Sequence, residues 1–138
     1  MQGQALHGGL GVDVEASGRH ISALRLAQRY FAPSEIATLQ RLSGEPQRRA
    51  FLTLWTLKEA YLKVLGRSIA HLSPQMAFTF GPGVEAHYVG PPSPAGHVAA
   101  HAYGHLRGFQ FGLVVTCQRR APPWAVHWHV GWPAVTAP

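Results

Sequence analysis

Acidic side chains are scarce in this chain. Its 138 residues carry six carboxylates, Asp13, Glu15, Glu35, Glu45, Glu59 and Glu85, against twelve Lys and Arg, for a net charge of +6. Cysteine occurs once, at Cys117, which excludes an internal disulfide and fits a reducing, cytoplasmic setting. No run of about 18 apolar residues occurs, so no membrane-spanning helix is expected. The start, MQGQALHGGLGVDVE, lacks the basic flank and long apolar stretch of a secretory signal. Lysine is rarer still: ten of the twelve basic side chains are arginine, and the two lysines, Lys58 and Lys63, flank Glu59 within one short stretch.

What is present is globular. Hydrophobic residues make up 46% of the chain, enough for one domain with a real core, taken as residues 1–133 with a frayed tail at 134–138. The segment GLGVDVE alternates with period 2, placing Val12 and Val14 on one face of a strand and Asp13 and Glu15 on the other. Ile21, Leu24, Ala27 and Phe31 fall at helical spacing. Pro33-Ser34-Glu35 opens a second helix that runs to Leu42. Pro46 to Leu65 is the strongest helix, apolar around much of its circumference and capped by Gly66, so it is expected to be central and buried. After Gly66 the pattern changes to short β-like runs at Met76–Phe80, Glu85–Val89, Val98–Tyr103 and Phe109–Cys117, with a weaker one at Trp124–Val130 and a loop at GPPSPAG. The fold class is α+β: one strand, three helices, then an antiparallel β meander.

Two groups of residues can carry chemistry, and each has an ordinary alternative. Trp55, Glu59 and Lys63 stand at i, i+4, i+8 and share one stripe of the long helix. On spacing alone, Glu59 and Lys63 are the common helix-stabilising pair, worth about 0.3–0.5 kcal/mol. Asp13 and Glu15 project from one strand face and repel each other. They are either a solvent-facing edge or part of a site for a hard cation such as Mg²⁺, which takes carboxylate oxygens and bridges to substrate phosphates.

Three segments together carry a resemblance: G-V-D-V-E at 11–15, R-Y-F-A-P-S-E at 29–35 and W-T-L-K-E-A-Y-L-K at 55–63. In this order and spacing the chain resembles the 4′-phosphopantetheinyl transferase superfamily, and within it the C-terminal half of the two-half, surfactin-synthetase-activating type. The resemblance spans roughly residues 10–80 and implies an enzyme, a holo-[acyl-carrier-protein] synthase. Such an enzyme transfers the phosphopantetheine arm from coenzyme A to a serine of an acyl or peptidyl carrier protein and releases 3′,5′-ADP. By position it implies Asp13, Glu15 and Glu59 as Mg²⁺ ligands and Glu59 as the base for the serine proton. Lys63 would contact phosphate oxygens and assist the leaving group. Lys58, about 100° round the helix from Glu59, is a lesser cofactor contact. The acidic carrier partner would answer the basic excess, with Arg25, Arg29 and the residues after Gly66 as docking positions.

The two-half enzymes place a further half, with much of their coenzyme A site, ahead of this motif, whereas ten residues precede Gly11 here. Three explanations stand: a homo-oligomer that builds its sites between subunits, which is the preferred account of any activity, a truncated gene product, or a fragment of a longer chain. The alternative is a catalytically incomplete half that binds carrier proteins. A nucleic-acid role is not expected, because no basic run exceeds a pair (Arg48-Arg49, Arg119-Arg120). His127 and His129 share a strand face but lack the further ligands of a zinc set.

Overall fold

In the computed structural model, which describes residues 8–80, 86–90 and 97–117, the elements run β1 (Gly8–Ala16), α1 (Ala23–Tyr30), α2 (Pro33–Gln40) and α3 (Gly44–Val64). A 3₁₀ turn at Ile69–His71 follows, then β2 (Phe78–Phe80), β3 (Ala86–Tyr88), β4 (His97–Leu106) and β5 (Phe109–Cys117). The α+β order matches expectation, and the 3₁₀ turn is new. The β half is not one meander. β1 joins the far end of the chain in a three-stranded antiparallel sheet of order β1-β5-β4, while β2 and β3 pair separately. The strand expected at Trp124–Val130, His127, His129 and the 134–138 tail lie outside the described residues, as does most of GPPSPAG.

Local signals explain the boundaries. α3 ends where Gly66 takes φ +63, with Gly66 N–H donating to Lys63 O and Arg67 N–H to Leu62 O, the paired bonds of a left-handed glycine cap. β4 turns into β5 through Arg107 (φ 49) and Gly108 (φ 80), the two positive-φ residues of a tight hairpin turn between the paired residues Leu106 and Phe109.

α3 lies across one face of the three-stranded sheet, and its residues Leu54, Leu57 and Leu62 share one buried cluster with Val114 of β5. Glycine sets the depth of that packing. A Cβ on Gly11 would sit 1.8 Å from the Ala60 carbonyl oxygen, and one on Gly112 would sit 2.5 Å from the Thr56 carbonyl carbon. Both obstacles are helix backbone, which cannot rotate away. On the other flank Phe31, Phe51 and Trp55 stack, with ring centroids 5.2 Å apart for Phe31–Phe51 and 5.6 Å for Phe51–Trp55. Trp55 therefore ties α1 to α3.

The sheet inverts the usual arrangement of an antiparallel sheet with one solvated face. In β1 the apolar side chains point outward, Leu10 being 65% and Val14 54% exposed, while Gly9, Gly11, Asp13 and Glu15 face α3. Register puts Val115, Leu113, Phe111 and Phe109 beside Leu10, Val12, Val14 and Ala16, so the outward face is apolar across both strands.

Candidate active site

The close approach that Gly11 and Gly112 permit brings the middle of β1 against the last turns of α3. Asp13, paired in register with Gly112, meets Lys63 there: its Oδ1 accepts from the Lys63 ammonium at 2.8 Å. The same ammonium donates to the Val12 carbonyl at 2.9 Å. Asp13 Oδ2 is buried and has no hydrogen-bond partner. Glu15, two residues along the same face, pairs with Arg19, Oε2 to Nη1 at 3.0 Å.

Glu59, one turn before Lys63, faces this cluster. Its carboxyl holds a proton more tightly than an ordinary glutamate, first because of partial burial and then because of the charges of Asp13 and Glu15; Lys63 opposes the shift. The spatial grouping expected of Asp13, Glu59 and Lys63 is thus present, and Glu15 lies within electrostatic reach. The carboxylates are not yet a cage: among the described residues no three His, Cys, Asp or Glu side chains stand ready to hold a metal ion. The donor chemistry nonetheless fits a hard divalent cation, with oxygen ligands only, one buried carboxylate oxygen unpartnered, and a local excess of negative charge.

Lys58 does not belong to this cluster. It is fully buried, pairs with Glu35 (Nζ to Oε2, 2.8 Å), donates to the Met76 carbonyl and lies over the Phe31 ring at 5.0 Å. The step of about 100° between successive helix residues turns it into the core while Glu59 faces β1. The expected cofactor contact is therefore corrected to a structural role. Burial lowers the proton affinity of the Lys58 ammonium, and Glu35 works against that shift. Glu35 is the residue that sequence reasoning missed. Besides Lys58 it accepts from Ala32 N–H (2.8 Å) and Phe78 N–H (2.8 Å), fixing the start of α2 and the approach to β2. A glutamate in the first turn of a helix reads as a cap, and nothing local reveals its distant partners.

A sequence profile of the 4′-phosphopantetheinyl transferase superfamily matches residues 9–89, more than half of the chain, and the chain belongs to that superfamily. The 4′-phosphopantetheinyl transferase HetI of Nostoc sp. is 40% identical over 63 residues, covering 46% of this chain and 27% of HetI. A Synechocystis sp. protein bearing a 4′-phosphopantetheinyl transferase name is 41% identical over 68 residues, covering 49% of this chain and 28% of its own length. The chain thus matches under a third of each curated relative. The holo-(acyl-carrier-protein) synthase of Bacillus anthracis, solved in complex with CoA (3′,5′-ADP), superposes with a TM-score of 0.68 at 18% identity. That superposition covers 80% of this chain and 96% of the synthase, and it establishes the α+β fold.

Proposed function

We propose that this chain transfers 4′-phosphopantetheine from coenzyme A to a serine hydroxyl of an acyl or peptidyl carrier protein, releasing 3′,5′-ADP. The observation that carries the reading is the convergence of Asp13 from β1 with Glu59 and Lys63 from α3 at one point of contact. Such a transfer asks the protein for positioning and charge stabilisation more than for covalent chemistry. Glu59 is the base: its raised proton affinity suits it to accept the serine proton as the hydroxyl oxygen attacks phosphorus. The new P–O bond forms as the bond to the 3′,5′-ADP oxygen breaks, and Lys63 donates to the phosphate oxygens, where negative charge gathers. Asp13, Glu15 and Glu59 would hold Mg²⁺, which when bound supplies charge neutralisation at the pyrophosphate.

The docking partner is an acidic carrier protein, drawn to the net charge of +6. A cytoplasmic setting follows the same proposal. No described helix is long and apolar enough to cross a membrane. The outward apolar face of β1 and β5 favours assembly with a second copy, which would add further contacts to coenzyme A.

The second reading is a carrier-binding domain without turnover of its own, favoured by the small share of each curated relative that the chain matches. One experiment separates the two: purified chain, apo-carrier protein, coenzyme A and Mg²⁺, with the carrier mass followed. A gain of one phosphopantetheine per carrier, abolished by Glu59→Gln, supports transfer. Binding of the carrier without any mass change would leave the interaction domain.

A further inference from the structure

One side chain of the carboxylate cluster reaches across it to Asp13. Asp13 offers two carboxylate oxygens: Oδ1 is held by Lys63, and Oδ2 is buried without a partner. Lys63 also grips the carbonyl of Val12, so its ammonium lies against β1 beside Asp13 and occupies one of the two carboxylate oxygens. The two partners differ in freedom. Asp13 is held mid-strand and is 12% exposed, with β1 backbone pressed on α3 at Gly11. Lys63 is 50% exposed, on a flexible four-carbon stem near the helix end. If one partner must yield, it is the lysine.

We propose that Lys63 is a tethered counter-ion: it neutralises Asp13 while no metal is present and is displaced from Asp13 when a divalent cation binds. The proposal rests on the reading of Asp13, Glu15 and Glu59 as cation holders, and it adds an exchange. One ammonium leaves the carboxylate as one metal ion arrives. The freed ammonium then faces solvent beside the new cation, positioned for phosphate only once the metal is in place. The chain thereby avoids leaving a buried carboxylate uncompensated in the metal-free state, which would destabilise the contact between β1 and α3. The consequence is a metal affinity held below what the carboxylates alone would give.

The test measures Mn²⁺ affinity, by electron paramagnetic resonance of free Mn²⁺ or by calorimetry, on the intact chain without substrate. Lys63→Gln removes the competitor and is expected to bind Mn²⁺ about three- to tenfold more tightly, the range set by losing a half-exposed ion pair and a nearby like charge. Lys63→Arg keeps the charge and is expected to stay within about twofold of the parent. Asp13→Asn in either background is expected to remove binding. Tighter binding in Lys63→Gln, even where the parent binds too weakly to measure, supports the exchange. Binding in Lys63→Gln that equals or falls below that of the parent overturns it while leaving the cation site standing. No Mn²⁺ binding by either overturns both the exchange and the cation reading. The melting temperature of metal-free Lys63→Gln checks that the fold persists.

Discussion

Gly11→Ala tests the contact on which the site depends. The added methyl would sit 1.8 Å from the Ala60 carbonyl oxygen, with the Ala60 carbonyl carbon at 2.8 Å and Val64 Cγ2 at 3.0 Å. Ordinary contact begins near 3.4 Å, so β1 must retreat from α3 by about 1.6 Å. Side chains relieve overpacking by changing rotamer, but a helical carbonyl cannot, so the penalty should reach the upper end of the usual range, about 3 kcal/mol. For a chain of this size that corresponds to a fall in melting temperature of roughly 8–12 °C. The same retreat would widen the gap between Asp13 on β1 and Glu59 on α3, and should lower transfer about 100-fold in the protein that remains folded. Gly18→Ala is the control, because nothing lies within 4 Å of its added carbon, and it should stay within about 0.5 kcal/mol of the parent. Scanning calorimetry with a carrier-modification assay reads both effects. A Gly11→Ala protein that melts with the parent and turns over at the parent's rate would refute the packing argument.

Further outcomes follow from the other contacts. Glu35→Gln and Lys58→Met, made singly, each leave a buried partner unmatched and should cost about 3–5 kcal/mol by denaturant titration, whereas the double variant should recover much of that loss; singles that add without recovery would contradict a buried pair. Glu59 holds its proton more tightly in the folded chain than in the unfolded one, so the folded state binds more protons between the ordinary glutamate pKa and the raised one, and metal-free stability should fall as pH rises through that window. Glu59→Gln should flatten that fall and raise the melting temperature at neutral pH, while lowering transfer at least about 100-fold; a steeper pH dependence in the variant would reverse the assignment. Val12→Lys on the outward sheet face should shift any oligomer toward monomer in light scattering without a large change in melting temperature, because Val12 is exposed in the single chain. An unchanged mass distribution would exclude that face from assembly.

Periodicity and caps were enough to place the helices and most strands. Alternation in GVDVE separated Asp13 and Glu15 from Val12 and Val14, and Gly66 marked the end of α3 with the left-handed conformation that only a residue without Cβ adopts cheaply. Spacing also put Trp55, Glu59 and Lys63 on one stripe, although Trp55 turned out to anchor α1 while the other two face β1. These are local properties, fixed by residues within a turn or a pleat of one another.

Which face of each element is turned inward is not local, and the tertiary structure alone decided it. The polar side of β1 faces the helix and its apolar side faces out, because Gly11 and Gly112 let backbone meet backbone where larger side chains would hold the layers apart. The two lysines look alike in sequence and differ in the fold: five residues of helix turn Lys58 into the core against Glu35 and leave Lys63 at the rim against Asp13. Their partners lie 23 and 50 residues away, beyond the reach of any periodicity, and only the closing of β1 onto β5 and α3 brings those charges together.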